Sequence, residues 1–142
     1  YEIMSSDWEF RRVLFRSVRL YSEASLQAAQ RKYAQALEVY HRLREYSGGE
    51  PLGARATLES AKTYRLTGNF AAADSLLNAY LDNYPEGAFR DRALFFLGEM
   101  AFSDSNDPAL SRKYFERLVV EIPDSPLAPL VRRKLEKINL EG

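Results

Sequence analysis

The chain has 142 residues, 46% hydrophobic and 13% aromatic, which is enough apolar material for a packed core and too much for a disordered tail. Twenty basic and twenty acidic side chains cancel, so no global field steers the protein toward nucleic acid or an anionic membrane, and electrostatic recognition has to be local. The absence of cysteine excludes disulfides, thiolate metal sites and a cysteine nucleophile, and leaves the compartment open.

No apolar stretch approaches the roughly 20 residues that a membrane span needs, and the start lacks the charged-then-apolar order of a signal peptide. Because the chain begins at Tyr1 rather than at an initiator methionine, a fragment is expected, with its true N-terminus elsewhere.

Residues 1–17 stand apart from the pattern that follows. Within them, residues 9–17 (EFRRVLFRS) resemble translated adaptor sequence at the ends of assembled metagenomic reading frames, which would make the segment non-native. Read as native, it extends the first helix: Ser6 and Glu9 have capping-box spacing, and Phe10, Leu14, Val18 and Tyr21 form a stripe. A helix is expected in either case.

Residues 18–142 repeat one order of elements: an apolar helix, a short polar break, a second apolar helix, then a turn. The breaks are Gln30-Arg31-Lys32, Thr67-Gly68-Asn69 and Ser105-Asn106-Asp107, and setting Arg31, Gly68 and Asn106 equivalent gives spacings of 37 and 38. The repeats then fall at about 18–50, 51–87 and 88–124. Each second helix carries a small residue and, four positions on, a large one: Ala36 and Tyr40, Ala73 and Leu77, Ser111 and Phe115. That spacing puts both on one face and suits a close helix crossing.

The first helices show a matching stripe: Thr57, Ala61 and Tyr64, then Leu94, Gly98 and Ala101, with Leu20 and Ala24 followed by the polar Gln27 in the opening repeat. Punctuation agrees, since Gly68 suits a left-handed C-terminal cap and Asn69 an N-cap, while Asp107-Pro108 and Ser125-Pro126 each set a capping oxygen before a first-turn proline. Residues 126–140 read as one further capping helix, apolar at Leu130, Leu135 and Ile138 and otherwise strongly polar. The fold class expected is all-α.

Residues 58–85 (LESAKTYRLTGNFAAADSLLNAYLDNYP) and 93–129 (ALFFLGEMAFSDSNDPALSRKYFERLVVEIPDSPLAP) resemble tetratricopeptide repeats, and among them those of a bacterial envelope branch. That branch includes the outer-membrane protein assembly lipoprotein and the periplasmic Tol-Pal coordinator. Against the family pattern, no tryptophan opens a first helix, Leu97-Gly98 is the one leucine-glycine pair in place, and Gly48-Gly49 stands where Pro85 and Pro123 stand in the other repeats. The resemblance implies a right-handed α-solenoid of three hairpins plus the capping helix, and a periplasmic or outer-membrane-associated protein, with the cytoplasm as the open alternative.

Chemistry is sparse. The single histidine, His41, has Glu38 and Glu45 at helical spacing, but a zinc site needs more strong ligands, so neither a metal nor a cofactor is expected. There is no HExxH, GxSxG or glycine-rich phosphate loop, and Asp104 and Asp107 read as loop and cap residues. Glu38-Arg42, Arg112-Glu116, Arg117-Glu121 and Arg132-Glu136 are i, i+4 pairs of solvated helix faces.

Arg55, Leu58, Lys62 and Arg65 fall at spacings of 3, 4 and 3, on a face away from Thr57, Ala61 and Tyr64. In tetratricopeptide proteins the first helices line a concave groove. The resemblance therefore implies a groove built from Tyr21, Ser25, Arg55, Leu58, Lys62 and Arg65 together with Arg92, Phe95, Glu99 and Phe102. The function expected is a scaffold that binds a protein or peptide partner, without catalysis. Two alternatives stay open: a helical-repeat RNA-binding module, disfavoured by net neutrality, and an accessory domain of a larger enzyme.

Overall fold

Three residues with positive φ punctuate the described chain, and they are the three set equivalent above: Arg31 at 62°, Gly68 at 79° and Asn106 at 50°. Each follows a helix and turns the backbone through the left-handed region that ends helices. At Arg31 the closing bonds are those of a Schellman cap, with the Arg31 amide donating to the Ala28 carbonyl and the Lys32 amide to the Gln27 carbonyl. Asn69 and Asp107 then open the next helices, accepting from the Ala72 and Leu110 amides.

The computed structural model describes residues 2–47 and 51–141, with side chains from residue 6 onward. Among these, all regular structure is helical: α1 (Glu2–Ala29), α2 (Tyr33–Ser47), α3 (Pro51–Leu66), α4 (Phe70–Asn83), α5 (Arg90–Ser103), α6 (Pro108–Glu121) and α7 (Ala128–Glu141). Gly48-Gly49, read above as a turn, lies outside the described residues. The chain divides into two compact units, residues 1–68 and 69–142. This boundary falls inside the second predicted repeat, between α3 and α4.

In the first unit α2 packs on both α1 and α3, and α1 also touches α3. Leu20 and Ala24 of α1 meet Ala36, Val39, Tyr40 and Leu43 of α2 and Ala56 of α3 in one apolar cluster. Packing begins at Ser17, whose hydroxyl shares a buried 2.7 Å hydrogen bond with that of Ser47. The expected stripe of Phe10, Leu14 and Val18 is instead exposed, because the face that continues into Leu20 and Ala24 runs through Ser17, and α2 ends opposite it. Residues 6–16 are all exposed.

In the second unit each helix packs on the next. The α5–α6 crossing is the closest: a Cβ on Gly98 would stand 2.4 Å from the Phe115 ring, and the Ser111 hydroxyl donates to the Gly98 carbonyl at 2.8 Å. The anticipated pairs Ala73 with Leu77 and Ser111 with Phe115 are buried, as are Leu94, Gly98 and Ala101. For α7 the expected stripe needs correction. The helix starts at Ala128, two residues later than read, and Val131 rather than Leu130 is fully buried, in line with Ala128 and Ile138.

The α4–α5 and α6–α7 turns share one hydrogen-bond pattern 38 residues apart. Gly87 and Ser125 amides donate to the Tyr84 and Ile122 carbonyls, and Arg90 and Ala128 amides donate to the Gly87 and Ser125 carbonyls. In the first turn the Phe89 amide donates to the Tyr80 hydroxyl at 3.3 Å; in the second the matching Leu127 amide donates to the Ser125 hydroxyl at 3.1 Å. A Cβ on Gly87 would collide with that Tyr80 hydroxyl, whereas Leu118, in Tyr80's place, leaves room for Ser125.

Gly98→Ala is expected to destabilise the chain by about 1–3 kcal/mol, as overpacking at a rigid contact does. Pairing it with Phe115→Leu should recover part of the loss in a denaturant titration, and an unchanged midpoint in the single variant would refute the close crossing. Removing residues 1–16 should leave cooperative thermal unfolding intact. The cross-helix contact known to be lost is Arg16 over the Tyr46 ring, at 4.7 Å, a contact of about 0.5–1 kcal/mol.

Candidate functional site

Of the ten residues expected to form the groove, six lie in the first unit. Tyr21 leans on the apolar cluster with its ring 6.0 Å from that of Tyr40, and the exposed Arg55 places its guanidinium 5.9 Å from the Tyr21 ring centre. Ser25 shares a 3.3 Å hydrogen bond with the Tyr40 hydroxyl. Burial pushes the Tyr40 phenol above its ordinary pKa, although the Ser25 bond works the other way. Lys62 is exposed and holds Glu59 at 2.9 Å, and Arg65 is half-buried.

Leu58 does not belong to an open surface. It is 9% exposed, because it sits four residues after Ala54 and three before Ala61, both buried, and so extends their stripe. The basic face is therefore Arg55 and Lys62, with an apolar residue beneath them rather than beside them.

Sequence reading missed Arg44. Its guanidinium donates to the Ser60 hydroxyl at 2.6 Å and faces His41 Nδ1 at 3.3 Å, while His41 Nε2 lies 3.3 Å from Glu45. Burial lowers the Arg44 pKa, against the opposing pull of Tyr64 and Glu45. Among the described residues no cluster of three or more histidine, aspartate or glutamate side chains has the geometry to hold a metal ion.

The other four expected residues lie on α5 in the second unit. Arg92 is exposed and stacks over the Phe89 ring at 4.4 Å. Phe95 is half-buried, its ring 6.0 Å from that of Phe115. Glu99 pairs with Lys134 of α7 at 2.7 Å, and the same ammonium lies 5.8 Å from the Phe95 ring centre. Phe102, 42% exposed, forms one wall of a cleft of about 260 Å³ that Phe115 and Ile138 line together with two lysines, Lys134 and Lys137, and two glutamates, Glu99 and Glu141. Lys134 and Lys137 are among the polar residues of the expected capping helix. Their spacing from Ile138 was visible, but the register of α7 on α5 was not.

A second cleft, of about 710 Å³, opens between the α4–α5 and α6–α7 turns. Arg90 organises it by donating to the Leu81 and Tyr84 carbonyls, at 2.7 and 3.1 Å, and to Glu121 at 2.8 Å. Beside it the Ser125 hydroxyl donates to Asp91 at 2.7 Å. These groups are spent on joining the two turns. Partial burial raises the Glu121 pKa, but the hydrogen bonds from Arg90 and Arg117 outweigh it and hold the carboxyl below its usual value.

Residues 21–88 match the tetratricopeptide repeat family, a span of almost half the chain that coincides with the first two predicted repeats. The match and the all-helical repeat architecture together support a tetratricopeptide-repeat protein, and such repeats commonly mediate protein–protein interaction. No curated protein matches the chain. No helix among the described residues is long and apolar enough to cross a membrane.

A group with a depressed pKa stabilises the fold at pH above the ordinary glutamate value of about 4.3, and its contribution is lost as pH falls through the folded value. Glu121→Gln should therefore lower stability at neutral pH, by under about 1 kcal/mol for a carboxylate so open to solvent, and the difference from wild type should vanish in strongly acidic buffer. Denaturant midpoints across pH test this; a gap that widens toward acid would reverse the assignment.

Proposed function

We propose that this protein is a non-catalytic recognition module that binds a partner protein or peptide in bacterial envelope assembly. The observation that carries the reading is the exposed face of α1 and α3 in the first unit. Arg55 lies over Tyr21, with Lys62 two turns further along α3, so cationic and aromatic groups stand together on rigid helices. Arginine and tyrosine suit such a surface because each offers large contact area with directional donors. The envelope assignment rests on the resemblance of residues 58–85 and 93–129 to that branch, including the paired proline turns at Pro85 and Pro123. A periplasmic or outer-membrane-associated location follows from the same resemblance.

Both Arg55 and Lys62 are exposed, and replacing them separates recognition from folding. Arg55→Gln with Lys62→Gln should leave helicity and melting unchanged while abolishing capture of the partner from a bacterial envelope extract, compared with wild type by mass spectrometry. Capture by wild type should also weaken with added salt, since exposed charges are screened over about 8 Å at physiological ionic strength. The same proteins retained by both forms would move binding off this face, and capture only from the cytosolic fraction would remove the envelope assignment.

A further inference from the structure

We propose that the α5–α7 cleft of the second unit is a socket for a single large apolar side chain of the partner, aromatic or leucine, whose neighbouring residue is acidic. The inference rests on the recognition reading above and specifies what is recognised. At about 260 Å³ the cleft is below the roughly 300–1,000 Å³ of typical small-molecule sites, a size that suits one side chain rather than a cofactor. Its floor is apolar: Phe115 and Ile138 are both buried, and Phe102 stands up as an exposed wall. Gly98 fixes the floor, because the absence of a side chain there lets the Phe115 ring lie against the α5 backbone.

Charge at the mouth gives the flanking preference. Lys134 is already neutralised by Glu99 and braced on the Phe95 ring. Lys137 lines the same cleft, is exposed, and pairs with no carboxylate among the described residues. Glu141, one turn further on and so on the same face of α7, also lines the cleft. An anchor residue seated on Phe115 thus meets in Lys137 a cation that pairs with no carboxylate among the described residues.

The test uses the whole chain labelled with ¹⁵N and the blocked peptide acetyl-Gly-Glu-Phe-Gly-amide, alongside versions with Phe→Ala and with Glu→Lys. The parent peptide should shift the Gly98, Phe102 and Ile138 amides saturably. The alanine peptide should bind about tenfold or more weakly, the effect of losing one buried aromatic side chain. The lysine peptide should be weaker on wild type, and Lys137→Glu should reverse the order of the glutamate and lysine peptides, with Lys137→Gln erasing it. Missing shifts at those amides, equal binding of the alanine peptide, or an unchanged order in Lys137→Glu would each overturn the socket. If capture through Arg55 and Lys62 holds while these peptides leave the cleft untouched, the socket falls and the recognition reading stands.

Discussion

Phe115 lies so close beneath Gly98 that one added carbon would overlap its ring, and this contact sets the spacing on which the second unit is built. With α6 drawn against the α5 backbone, the Ser111 hydroxyl reaches the Gly98 carbonyl and satisfies a buried acceptor that already serves the helix. The same closeness leaves a hollow toward α7 that Phe102 and Ile138 border. In the first unit Ala24 and Ala36, both fully buried, allow an equivalent approach of α1 and α2. Tyr40 can then reach Ser25, and Tyr21 is held where Arg55 covers it.

Sequence made the turns most legible, because a left-handed residue and a capping oxygen are local demands. Arg31, Gly68 and Asn106, equivalent by their place in the polar breaks, all have positive φ, although a left-handed cap was legible only at Gly68. The small-large pairs were legible for a related reason: a crossing needs one partner without bulk, and Ala36, Ala73 and Ser111 supply it. What escaped was register between helices. Leu58 looked like part of a basic face because its neighbours at three and four residues are Arg55 and Lys62, yet Ala54 and Ala61 at the same spacings decide its burial. Lys134 looked solvated for the converse reason, since its partner Glu99 lies 35 positions away and nothing in the intervening sequence records the pairing. Periodicity reports one helix at a time: it offers Leu58 two stripes on α3 without saying which is covered, and it offers Lys134 no partner at all.

Four cationic groups on these faces are held in place rather than left to wander. Arg55 rests on Tyr21, Arg92 on Phe89, Lys134 on Phe95 and Glu99, and Lys62 on Glu59. A free lysine or arginine side chain loses up to about 2 kcal/mol of rotamer entropy when a partner fixes it. Ordering it beforehand reduces that loss at the moment of binding, which favours recognition without any change of shape.

The two proline turns meet a single backbone requirement by different means. One amide per turn needs an oxygen: a tyrosine on the preceding helix provides it for Phe89, and a serine within the turn provides it for Leu127. Because the tyrosine hydroxyl fills the space that a side chain at Gly87 would take, the two solutions are mutually exclusive at any one turn. Serine copied alone into the first turn meets the phenol, and glycine copied alone into the second leaves an amide without its acceptor. Divergence between the repeats therefore has to proceed through linked exchanges, so that their sequences drift apart in pairs of positions while the backbone they describe stays the same.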